Sequence, residues 1–178
     1  MKKDMIAERW DILDKEGNPT GGTTLRGVFQ LRPGEFHLVV HIWIVSKNGE
    51  YLIQRRSDTK KLMPGEWAAT GGAAISGEDS FTAASRELKE ELGITMAKDN
   101  AKKAFRIKRR NSFLDVWVTE CNLPAHKLVL QESEVAQAKW VCEAKLKEMI
   151  ASGKFHNYGN EYFERMFKAT KNYRGTLV

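Results

Sequence analysis

Apolar residues recur along the chain with two periods, and these divide it into strands and helices. Ile6 to Leu13 reads as a first strand, closed by the turn signals Gly17-Asn18-Pro19 and Gly21-Gly22. Phe36 to Ser46 is a strongly β-prone run, and Asn48-Gly49 then predicts a hairpin turn. Glu50 to Arg56 returns as its partner, with Tyr51 and Ile53 alternating against Gln54 and Arg56. A short strand, Trp67 to Thr70, precedes the pair Gly71-Gly72. From Asp79 to Leu92 the period changes: Phe81, Ala84, Leu88 and Leu92 fall at i, i+3, i+7 and i+11 and form one helical stripe. Gly77-Glu78-Asp79-Ser80 supplies capping side chains at its start, and Gly93 stands at the position of a left-handed C-terminal cap. Ala104 to Arg109 and Phe113 to Cys121 predict another antiparallel pair, and Ala136 to Cys142 a last strand. Helices follow over Glu143 to Ile150 and Asn160 to Ala169. Hairpin-grouped strands with helices between and after them predict an α+β fold with mixed strands.

At 178 residues the chain fits one domain spanning 1–178, with a β-forming extension over 1–35 and C-terminal helices over 143–178. With 14 Gly, 4 Pro and 2 Cys it is neither collagenous, nor low-complexity, nor a disulfide scaffold. Cys121 and Cys142 read as reduced thiols of a cytoplasmic protein. The longest apolar stretch, Leu38 to Val45, is interrupted by His41 and falls far short of the roughly 20 residues of a membrane span. The net charge of +6 predicts attraction to phosphorylated small molecules or to nucleic acid, without choosing between them.

One feature opposes local physics. Glu87, Glu90 and Glu91 lie three and four apart, on one flank of the predicted helix beside its apolar stripe. Like charges at these spacings cost about 0.2–0.5 kcal/mol per pair. In the last turns the helix dipole adds a further penalty of about 0.3–1 kcal/mol for each. Arg86 and Lys89 offset only part of this. A divalent cation is the simplest compensation. Clustered carboxylates with no Cys nearby and no His on the helix favour Mg²⁺ or Mn²⁺ over zinc.

The surrounding residues sharpen that reading. Gly72, five residues, Glu78, seven residues, then Arg86-Glu87-Leu88-Lys89-Glu90-Glu91-Leu92-Gly93-Ile94 resembles the Nudix box, with nine fixed or class-restricted positions matched over 23 residues. The resemblance places the box at 71–94. It implies an α/β/α sandwich on a mixed sheet, with the box forming loop–helix–loop. It also implies a hydrolase that cleaves the pyrophosphate of a nucleoside diphosphate derivative or a related small-molecule diphosphate. Glu87, Glu90 and Glu91 would then hold Mg²⁺, or Mn²⁺ in its place, with a backbone carbonyl near Gly72. Arg86 would orient the acids by pairing with Glu87 or Glu78. The proton acceptor is left among Glu90, Glu134 and Glu132, the last two equally readable as exposed loop acids.

The flanks Trp10-Asp11-Ile12-Leu13-Asp14, Gly34-Glu35-Phe36-His37 and Gln54-Arg55-Arg56-Ser57 resemble the branch near type I isopentenyl-diphosphate isomerase. That makes an isomerase the competing activity, and a catalytically silent nucleotide-binding domain the alternative from another class. Against the isomerase, Gly71 stands where its reactive cysteine belongs. Gln30 and Ala73 replace two of its metal-binding histidines, and Asp115 alone stands for its glutamate pair. Arg55, Arg56 and His37 are the candidate substrate-binding residues, although strand alternation puts only one of the two arginines on the cleft side. His37 and His41, four apart, share a strand face whose default role is packing or hydrogen bonding. The basic run Lys102, Lys103, Arg106, Lys108, Arg109 and Arg110 reads first as a solvated strand face with Phe105 and Ile107 turned inward, and an RNA partner stays open. Phe155, Tyr158, Tyr162, Phe163 and Phe167 are expected to pack on the sheet, and a homodimer is the commonest assembly to test.

Overall fold

The structure is a computed structural model that describes residues 8–26 and 31–175. Ile6 and Ala7 of the first predicted strand, and Gln30, lie outside the described residues.

Two strands, β1 (Arg9–Leu13) and β2 (Pro19–Leu25), pair antiparallel as a separate small sheet. β2 corrects the reading of Gly17 to Gly22 as turn alone. The turn is confined to 14–18, where the Asp14 carboxylate accepts the N–H groups of Glu16 and Asn18. The chain then extends as a strand of exposed or half-buried residues, so no apolar alternation marks it.

β3 (His37–Val45) is the axis of the main sheet. Along one edge it pairs in parallel with β8 (Ser112–Glu120), and β7 (Ala101–Lys108) adds antiparallel beyond β8. Its other edge is shared. Near the Asn48-Gly49 turn, Ile44 and Val45 pair with β4 (Tyr51–Arg56), after which the two strands splay. The segment 67–73 fills the gap: β5 (Trp67–Ala68) pairs with Gln54 and Arg55 of β4, and β6 (Thr70–Ala73) pairs with residues 39–42 of β3. The sequence predicts an end at Thr70, because a Gly-Gly pair ordinarily signals a turn, whereas Gly71 and Gly72 lie inside β6. β9 (Val135–Val141) closes the far side of β4.

Alternation on β3 divides the core in two. Val40, Ile42 and Ile44 face α1 (Ser80–Leu92) and pack with Ala84, Leu88 and Leu92. Val39, Trp43 and Val45 face α2 (Glu143–Ala151) and α3 (Asn160–Gly175), with Tyr162, Phe163 and Met166 of α3 and Phe155 of the segment between the helices buried against them. The result is the expected mixed sheet between helices. His41 belongs to this second face. The Tyr162 hydroxyl accepts from Trp43 Nε1–H at 2.8 Å and lies 2.9 Å from His41 Nδ1, the hydrogen-bonding role its position suggested. On β7 the basic side chains are exposed, while Phe105 and Ile107 turn inward. Among the described residues no helix is long and apolar enough to cross a membrane.

Candidate active site

Helix α1 carries its acids where they are because both ends are fixed. Asp79 Oδ1 accepts the Thr82 N–H at 2.7 Å, and Gly93 takes φ 70° to close the C-terminal cap. The stripe of Ala84, Leu88 and Leu92 then clamps one face on the sheet, which leaves Glu87, Glu90 and Glu91 along the edge facing β6 and β4. Glu87 reaches Gly72. A Cβ at residue 72 would lie 2.2 Å from Glu87 Oε1, so only glycine admits the carboxylate there.

Arg86 organises the acids. Its Nε and Nη2 donate to the two oxygens of Glu78 at 2.7 and 3.0 Å, a bidentate pairing that Lys cannot copy. Nη1 donates to Glu87 at 3.0 Å and to Glu90 at 3.1 Å, and Nη2 also reaches the Ala73 carbonyl at 3.1 Å. One guanidinium therefore ties the box loop to the helix, contacting Glu78, Glu87 and Glu90 together.

The three helix acids differ in setting. Glu90 is half exposed and pairs with Arg86. Glu87 is mostly buried; desolvation raises its pKa, opposed by the Arg86 charge. Glu91 is buried and accepts from Gln54 Nε2 at 2.8 Å. Burial first, and then the negative charge of Glu87, push it up to about 8. Three carboxylates on one helix edge, with the Gly72 backbone beside them, are a hard-oxygen donor set that fits Mg²⁺ or Mn²⁺ and lacks the imidazole and thiolate donors zinc prefers. As the side chains stand, no three His, Cys, Asp or Glu among the described residues already enclose an ion, since Glu87 and Glu90 turn toward Arg86.

These acids line a cavity of about 200 Å³, with Gly71 and Gly72 along one wall. Around it stand Glu8, Arg26, Arg56, Lys60, Gln131 and Glu134. Arg56 and Glu134 are thus brought to the helix acids. Glu134 forms an ion pair with Lys60 at 2.5 Å, while Glu132 is exposed and outside the lining. Arg55 is not brought there. Being adjacent on β4 it turns the other way, donating to the Gly65 carbonyl at 3.1 Å and to Asp58 at 2.7 Å. His37 is also absent from this cavity and lies buried against Trp10. Arg26 and Lys60 were missed by sequence reading, since each comes from a segment with no periodic pattern to place it.

Two positions bear on the isomerase alternative. At Gly71, in the β3–β6 ladder, a Cβ would lie 2.3 Å from the Val40 carbonyl oxygen, so this backbone excludes a thiol where the isomerase carries its cysteine. Asp115 is fully buried and pairs with Arg106 through both oxygens, at 2.5 and 2.8 Å.

Comparison with known proteins agrees with this geometry. The chain is 39% identical over 160 residues to an uncharacterized Nudix hydrolase of Listeria innocua, covering 88% of this chain and 94% of that one. It is 34% identical over 86 residues to an isopentenyl-diphosphate Delta-isomerase of Streptomyces griseus, covering 48% and 43% of the two chains. A crystal structure of the Deinococcus radiodurans protein DR0079 superposes with a TM-score of 0.71 at 25% identity, covering 84% of this chain and 93% of that one. The NUDIX domain profile matches residues 35–159. The chain therefore belongs to the Nudix hydrolase family.

Proposed function

We propose that the protein hydrolyses the pyrophosphate linkage of a small-molecule diphosphate, a nucleoside diphosphate derivative in the first instance, with Mg²⁺ as cofactor. The observation that carries this reading is one cavity lined by three helix carboxylates together with Arg26, Arg56 and Lys60, of which Arg26 also pairs with Glu8 and Lys60 with Glu134. Nudix proteins generally use divalent cations. Carboxylates alone would repel a diphosphate, and cations alone would bind it without activating water.

Glu87, Glu90 and Glu91, with the backbone at Gly72, would hold the metal. When bound, a divalent cation neutralises phosphate oxygens and lowers the pKa of water. The remaining work belongs to the chain. Arg56 and Lys60 orient the phosphates through charge-assisted hydrogen bonds. Arg86 holds Glu87 and Glu90 in register against Glu78. Glu90 accepts the proton of the attacking water. It is half exposed and lines the cavity. An allylic proton transfer would need a thiol acid that residue 71 cannot supply.

The test is a hydrolysis screen with Mg²⁺ across nucleoside di- and triphosphates, nucleotide sugars, dinucleotides and isoprenoid diphosphates. Glu90→Gln is expected to lower kcat by about 10²–10⁴-fold with an unchanged circular dichroism spectrum. Binding without turnover of any compound by the wild type would instead favour a silent nucleotide-binding domain.

A further inference from the structure

Gln54 is a polar side chain in an apolar place. Alternation along β4 sets it on the α1 side of the strand, between Leu52, which packs in the core, and Arg56, which lines the acid cavity. It is only 1% exposed. Its Nε2 donates to Glu91 Oε2 at 2.8 Å and lies 3.5 Å from the Ala69 carbonyl oxygen. Its Oε1 has no hydrogen-bond partner among the described residues. A leucine or methionine would fill much the same space without stranding a carbonyl oxygen. Packing therefore does not account for an amide here, and the bond to Glu91 is what the amide adds.

The three helix acids are held by different means. Glu87 and Glu90 both accept from Arg86, whose full positive charge draws them toward itself. Glu91 accepts from a neutral amide, and no other side-chain hydrogen bond or ion pair engages its carboxylate among the described residues. Its Oε1 is not sealed off, and is left to the cavity that Glu91 lines. A Lys or Arg at residue 54 would pair with Glu91 and compete with a cation for its charge. A glutamine fixes the carboxylate and leaves that charge intact.

We infer that Gln54 is a positioning residue of the metal site: its amide N–H holds Glu91 Oε2, so that Oε1 is presented to a divalent cation with no competing charge beside it. Gln54 itself touches neither metal nor substrate. Removing the hydrogen-bond partner of a ligating side chain typically weakens metal binding by about 10–100-fold. The inference rests on the reading of the acid cavity as a Mg²⁺ site, and adds to it the residue that presets one of the ligands.

The experiment titrates the whole protein with Mn²⁺ into the millimolar range, without nucleotide, and reads the free ion by its electron paramagnetic resonance signal. Gln54→Leu is expected to weaken Mn²⁺ binding at least about tenfold, with an unchanged circular dichroism spectrum. Gln54→Met, which keeps the length without the donor, should show the same loss, and keeps the test decisive where Gln54→Leu fails to fold. In a Glu91→Gln background the same substitution should cost less than about twofold, because the two residues act as one unit. Wild-type affinity in a folded Gln54 variant overturns the inference and leaves the metal reading standing. So does a tenfold loss that persists in the Glu91→Gln background, which would mark a general disturbance of the core. A wild type that binds no Mn²⁺ overturns the metal reading itself, and the inference with it.

Discussion

Replacing Arg86 with alanine should destabilise the protein more than any other single change at the site. Glu78 and Glu87 retain only 10% and 13% side-chain exposure, and Arg86 is their shared cation. Removing one partner of a buried ion pair costs about 3–5 kcal/mol, because the other charge stays buried without compensation. Set against a native stability of about 5–15 kcal/mol, that is a large fraction of the total. With a urea dependence of about 2 kcal/mol per molar, the unfolding midpoint should fall by about 1.5–2.5 M. Arg86→Lys keeps the charge but not the fork that grips both Glu78 oxygens, and should recover only about half of that loss. Equilibrium urea unfolding followed by tryptophan fluorescence reads both. A midpoint lowered by less than about 0.5 M in Arg86→Ala would refute the reasoning, since the two carboxylates would then have found water on their own.

Gly72→Ala should keep the fold, at a cost of about 1–3 kcal/mol, while displacing Glu87 and lowering kcat/KM at least about tenfold; wild-type turnover in a folded variant would count against the role of Glu87. Gly71→Cys supplies the thiol position of the isomerase, but its Cβ meets the Val40 carbonyl. It should lower the melting temperature and yield no isomerised product, checked by calorimetry and product analysis. His41 should make the protein acid-sensitive. Burial holds its pKa near 3 against an ordinary 6.5, so below about 6.5 the unfolded chain binds a proton that the native state refuses. Its contribution is complete above that pH and is lost as pH falls toward 3, by up to about 1.4 kcal/mol per unit. In urea titrations from pH 7 to 4, His41→Gln should show a shallower decline than wild type, and parallel curves would sink the argument.

What was legible in the sequence was whatever local physics marks. Helix α1 announced itself through its capping aspartate, its apolar stripe and its terminal glycine, and the acids on it through their mutual repulsion. β3 and β8 showed as apolar runs because both of their faces are buried, and β4 showed through its alternation after the Asn48-Gly49 turn. β2 and β6 did not show. β2 buries little, and the glycines of β6 are there for close approach to β3 and to Glu87, a tertiary demand that local composition reports as a turn. The cations of the acid cavity were hidden for a related reason. Arg26, Arg56 and Lys60 meet only after β2, β4 and the loop after β4 converge, and alternation could say that one of Arg55 and Arg56 faces inward but not which.

The parallel pairing of β3 with β8 also shapes how the chain folds. Each rung joins residues 75 positions apart, from His37 with Ser112 to Val45 with Glu120. No hairpin can nucleate such a ladder, and loop closure of that length precedes any reward from the contacts it makes. During synthesis β3 must wait for β8 to emerge, with Ile42 and Trp43 unpaired along that edge. Refolding should therefore be slow for a chain of this size, and truncation before Ser112 should yield an aggregating fragment rather than a smaller working enzyme.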